Sequence, residues 1–278
     1  MALIITSVLM ILALGGFEAF QNVRIPGVLQ RIAIVYLIVS LLYIHRSTWA
    51  LLLYSVFFLF VYWYLMMYSS LPMAGSLVPG QNVAAWLDET LLSGHLYQAT
   101  KTWDPEGFLS TIPSIVTGLL GIIVGKALLA NWTISQKLGW GYIASLVLIG
   151  VGYVWNEVFP INKSLWTSSY VLVMAGFALF FLTSIEALIH FGSDRWTRPF
   201  LIFGTNAITV FFFSGFIPDV LWMVQVGDTS LQGWLYATFI TSVFSDPYQA
   251  SLAGAIAYLV IWGGILTYFY RNRLIFKV

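Results

Sequence analysis

The stretch TWALLLYSVFFLFVYWYLMMY, at positions 48–68, carries no charged side chain. About 20 apolar residues at roughly 1.5 Å each cross the hydrocarbon of a bilayer. A helix this apolar on every side has no face to give to water. Similar windows lie at about 2–19, 28–44, 108–129, 139–157, 167–190, 200–223 and 249–270, each bounded by Pro, Gly or charge. Helices satisfy their own backbone polar groups in lipid, so the expected fold is all-α, a polytopic transmembrane bundle of about eight spans. Composition agrees: 60% of the 278 residues are hydrophobic and 8% charged, against roughly 25% charge in soluble domains. The chain is read as a single transmembrane domain, 1–278, with the lipid bilayer as its first partner. Its net charge of +1 gives no reason to expect nucleic acid. The absence of cysteine removes disulfides and thiolate chemistry. The first apolar window lacks a basic flank and a small-residue cleavage site, so it is read as a retained helix.

Basic residues give an orientation. If the tail with Arg271, Arg273 and Lys277 is cytoplasmic, an even number of spans places both termini there. The same side then collects Arg46, Lys126, Lys137, Arg195 and Arg198, eight of the twelve basic residues in all. Glu18 and most other carboxylates fall on the outer side, as does a long connection at about 69–107. Connections of that length usually carry function. The segment 231–245 is expected either in the interface or as an extension of the seventh span.

Three polar clusters abut spans on this outer side. In RIPGVLQR, at 24–31, Gln30 and Arg31 lie inside a helix, and an intramembrane Arg is costly without a partner or ligand. Arg31 is expected to snorkel, to pair with a carboxylate, or to bind a ligand. In WDPEG, at 103–107, Asp104 and Glu106 precede a helix: they could cap it, act as general base, or neutralise Arg31. In FPINKSLWTSSY, at 159–170, Asn162, Lys163 and Trp166 lead into a hydroxyl-rich helix start, which reads either as an anion or sugar site or as an interfacial anchor. His95 is the outer-side histidine available for acid/base work. Asn206, in FGTNA, either lines the bundle or bonds one helix to another. No metal-binding spacing occurs, so no metal is expected.

RIPGVLQRIAIVYL at 24–37, HLYQ at 95–98, DPEGFLSTIPSIV at 104–116, FPINKSLWTSSYV at 159–171 and FGTNAITVF at 203–211 together resemble the heparan-α-glucosaminide N-acetyltransferase family, as does the closing YRNRLIFKV. The resemblance implies a membrane acyltransferase that takes acetyl from acetyl-CoA on the cytoplasmic side and delivers it to an amino sugar or other glycan acceptor opposite. Arg24, Arg31 and Lys163, or the inner Arg195 and Arg198, would be the groups that hold phosphate. The family's outer-loop histidine precedes the RIPGVLQR segment by a further span and has no counterpart here; its role is not carried to His95. The expectation is therefore a chain that starts downstream of two family spans, active in a full-length form or else inactive. The competing reading is a sugar or small-molecule transporter, and a homo-oligomer is left open. The resemblance and the compact outer loops favour a bacterial inner membrane.

Overall fold

The computed structural model describes residues 24–192 and 197–276. The window 2–19, Glu18, Arg195 and Lys277 lie outside the described residues. In chain order the helices are α1 (Val28–His45), α2 (Thr48–Met67), α3 (Val83–Leu92), α4 (Thr111–Leu129), α5 (Ile134–Asn156), α6 (Ser168–Phe191), α7 (Arg198–Gly204), α8 (Ala207–Met223), α9 (Leu231–Tyr236) and α10 (Pro247–Arg271). Six of the described helices are long and apolar enough to cross a membrane, or seven if the bent pair α7–α8 counts as one span. The protein is an all-α, multi-pass integral membrane protein. By its internal contacts the chain divides into two compact units, one up to His190 and one from Phe191 onward.

In the first unit, local chemistry sets the helix starts. Ser47 caps α2 by accepting from the Ala50 N–H at 3.3 Å. Thr133 and Gln136 exchange side-chain and backbone bonds in a capping box that opens α5. Helices α5 and α6 come together through small residues: a Cβ at Gly152 would lie 2.5 Å from Val173 Cγ2, and one at Gly176 would lie 2.6 Å from Ile149 Cγ1. That close approach is the usual route to packing when lipid is as apolar as the side chains. Lys126, near the end of α4, donates to Thr48 Oγ1 at 3.2 Å and lies over the Tyr43 ring, so the end of α1, the start of α2 and the end of α4 share one pole. At the opposite pole the Tyr62 hydroxyl donates to the Leu165 carbonyl and Ser168 Oγ to that of Leu59.

The long connection is not a bare loop. It contains α3, capped by Asn82, whose Oδ1 accepts from Ala85 N at 3.0 Å. Val83, Ala84, Ala85 and Leu92 turn inward, and Val83 and Ala84 join a core with Tyr62, Met66, Leu109, Phe159 and Leu165. This core is the platform that holds the polar segments at that pole.

In the second unit, α7 and α8 meet at a 66° bend at Thr205–Asn206. A two-stranded hairpin follows, with Gln225 opposite Ser230 and Val226 opposite Thr229, and then α9 runs into a π-helical turn at Ala237–Thr241. The stretch 231–245 therefore begins as a separate short helix beyond a hairpin, not as a continuation of α8. Asn206 is 2% exposed; its amide donates to Leu274 O and its Oδ1 accepts from Phe276 N, both at 3.1 Å. Its partner is a chain-terminal segment, whereas the sequence suggests a second helix or a bundle cavity. Asn206→Ala should free Leu274–Phe276 at a cost of about 1–3 kcal/mol, read as faster amide exchange confined to that segment.

Candidate functional site

The site lies at the α3 pole of the first unit. Arg24 sends Nε to Asp104 Oδ2 at 2.7 Å and Nη2 to both Asp104 Oδ1 and Glu106 Oε2, with its guanidinium 4.5 Å from the centre of the Tyr97 ring. The hydrogen bond to Asp104 raises the Arg24 guanidinium above its ordinary value, against partial desolvation. Asp104 is buried, while Glu106 keeps 19% side-chain exposure. Neither carboxylate bonds to the start of α4. The capping role open to them in the sequence is replaced by an ion pair with Arg24.

Arg31 is buried at 7% exposure, and it neither snorkels nor pairs with a carboxylate. Its Nη2 donates to the carbonyl of Pro105 at 2.7 Å, to Ser110 Oγ, and at longer range to the Gly107 carbonyl. Its Nε and Nη1 are buried with no hydrogen-bond partner. A guanidinium is a fork of donors that seeks acceptors, and desolvated N–H groups without one cost about 1–3 kcal/mol. Their presence here marks a place where an acceptor from outside the chain would be welcome.

The 159–170 segment is used mainly for architecture. Asn162 Oδ1 accepts from Ser164 N and Leu165 N, Thr167 Oγ1 donates to Pro160 O, and Ser169 Oγ donates to Phe159 O. The hydroxyls that the sequence offers to an anion or sugar are spent on carbonyls of the same segment or, for Ser168, of α2. Trp166 has φ of +53°, a region few non-glycine residues adopt. It stands 5.4 Å from the Arg31 guanidinium and donates Nε1–H to Thr117 Oγ1 at 3.2 Å.

A cavity of about 900 Å³ opens between α1 and α4. Arg31, Glu106, Lys163 and Trp166 line one end and Lys126 the other, with Val35, Val39, Gly118 and Gly121 between them. From Ser114 to Lys126 the helix rises roughly 18 Å.

Of the residues singled out from sequence, the structure brings together Arg24, Arg31, Asp104, Glu106, Lys163 and Trp166. Gln30 is close to Gly27, where an added Cβ would sit 2.6 Å from its Oε1, and it is not part of the cavity wall. His95 joins through its backbone: its carbonyl accepts from Ile25 N at 2.9 Å, tying the segment before α1 to the long connection. Asn206 belongs to the second unit. Sequence reading missed Asp88, Tyr97, and the small-residue face of α4 at 117, 118, 121 and 125. The spacing of that face was the available signal. Among the described residues, no group of three or more potential metal ligands occurs.

Fold and site define a class: a multi-pass membrane protein with a buried arginine–carboxylate cluster at the mouth of a long apolar groove. Two curated proteins are similar to it in sequence. The human heparan-α-glucosaminide N-acetyltransferase is 30% identical over 250 aligned residues, covering 70% of this chain, and the mouse protein is 30% identical over 249. By this similarity the chain is related to the heparan-α-glucosaminide N-acetyltransferase family. Its match covers 37% and 38% of the length of these relatives. No family model matches the sequence.

Proposed function

We propose that this chain performs membrane acyl transfer, moving acetyl from acetyl-CoA to an amino sugar or a related glycan acceptor, in a bacterial inner membrane. The observation that carries the reading is the buried Arg31, with N–H groups lacking acceptors, beside Glu106 at one end of the groove. The groove suits a slender, largely apolar arm, and Lys126 at the far end suits phosphate. Acetyl-CoA supplies the acyl group as a thioester. Arg31 donates to the carbonyl oxygen as charge develops there. Glu106 takes the proton from the acceptor amine or hydroxyl as the new C–N or C–O bond forms and the C–S bond breaks. Glu106 then passes that proton to the leaving thiolate, which departs as the thiol of coenzyme A. Arg24 and Asp104 hold Glu106 in place, and Lys163 attracts anionic groups at the mouth.

The test is transfer of labelled acetyl from acetyl-CoA to glucosamine by purified protein. Asp104→Asn with Glu106→Gln should lower the rate by about 10²–10⁴-fold, the usual worth of a general base. Unchanged transfer by that variant would remove both roles. A second reading, transport of a small polar molecule, draws on the groove's extent from Lys163 to Lys126. Uptake into proteoliposomes without acetyl-CoA binding would favour it.

A further inference from the structure

We propose that Asp88 is a positioning residue, whose ionised carboxylate holds the Asp104–Gly107 turn in the register that acyl transfer requires. The proposal rests on the acyl-transfer reading and adds a residue to its machinery. Asp88 is 1% exposed, on the inward face of α3 between Ala85 and Leu92. Its Oδ1 accepts from Phe108 N at 3.0 Å and its Oδ2 from Asp104 N at 3.4 Å, so one carboxylate grips both ends of the turn. Between them the turn closes on itself, with Gly107 N donating to Asp104 O and Glu106 N to Asp104 Oδ1. Gly107 lies directly on the carboxylate: a Cβ there would be 2.0 Å from Oδ2. This turn supplies two carboxylates to Arg24 and two carbonyls to Arg31.

The ionised form is costly. Burial pushes the Asp88 carboxyl up to about 6, against the two backbone N–H bonds. Asp104 on the turn raises it further and is itself paired with Arg24; Arg31 on α1 lowers it, and Tyr62 on α2 completes the titratable surroundings. Because the folded value lies above the usual carboxylate value, the native state binds this proton more tightly than the unfolded chain. Its contribution to stability is therefore greatest below about pH 4, falls as pH rises to about 6, and is level above that. Packing alone would favour a neutral isostere, whereas holding two N–H donors calls for the anion.

Asp88→Asn separates these roles. At pH 8 the variant should melt at or above wild type, while amides of residues 104 and 106–108 exchange ~10-fold faster and the transfer rate falls ~10-fold, as for loss of a charge-assisted bond. In the wild type, protection of those amides, corrected for intrinsic exchange, should decline as pH falls through about 6. Wild-type protection in Asp88→Asn at pH 8, or no such pH step in the unsubstituted protein, would overturn the proposal. Exchange is read without substrate, so a protein that transfers no acetyl would refute the acyl-transfer reading yet leave Asp88's hold on the turn decided. If Asp88→Asn fails to fold, the wild-type pH step alone decides.

Discussion

Arg31→Gln is expected to reduce acetyl transfer by about 10²–10³-fold in kcat, the loss found when one donor to a developing oxyanion is removed. The effect should fall on kcat more than on KM, since the Nε and Nη1 donors that lack partners in the resting protein have most to gain as charge develops. Insertion should survive, because removing an intramembrane charge lowers the cost of placing α1 in lipid. Arg31→Lys should not restore the rate. An ammonium cannot both satisfy Pro105 and Ser110 and present further N–H groups in a fixed plane beside Trp166. Transfer by Arg31→Lys within a few-fold of wild type would show that a point charge suffices and would remove the directed role.

Gly107→Ala should destabilise the whole first unit. The new methyl would sit 2.0 Å from Asp88 Oδ2 and 2.5 Å from its Cγ, inside van der Waals contact, with the carboxylate held by two backbone bonds. Overpacking of this kind costs about 1–3 kcal/mol, or roughly 2–12 °C in the melting temperature of a domain this size. The effect should shrink when Asp88 is shortened: Asp88→Ala with Gly107→Ala should lose less than the sum of the single losses. Strict additivity in that cycle would mean that the two residues do not touch.

The all-α membrane architecture was legible in the sequence because each span announces itself by length and apolarity. The windows from 28–44 onward that fall on described residues all became helices, with 200–223 broken at Asn206. The members of the site were legible individually, but their pairing was not. A carboxylate was one of the partners open to Arg31, yet Asp104 and Glu106 went to Arg24, and Arg31 went to carbonyls that every residue possesses and no sequence pattern marks. Asp88 was hidden for a related reason. In VAAWLDETLL it reads as one of two acidic residues on a solvated helix, and only the position of α3 against the turn at 104–108 turns it inward. The hydroxyls of 167–169 illustrate the converse, since composition suggested a ligand site while local carbonyls were nearer.

The bonds of Arg31 to Pro105, Gly107 and Ser110 join residues 74, 76 and 79 positions apart. During synthesis at roughly 5–20 residues per second, that separation is about 4–15 s. Through that interval α1 exists with its guanidinium unmet, and an arginine in a span can cost up to about 2.5–3.5 kcal/mol at mid-membrane. The nascent helix therefore has reason to wait shallowly, with Arg31 toward the headgroups, until α4 emerges. The charge placed at the site is thus expected to bear on assembly as well, with α1 settling to its final depth after the acceptors at 105–110 have been made.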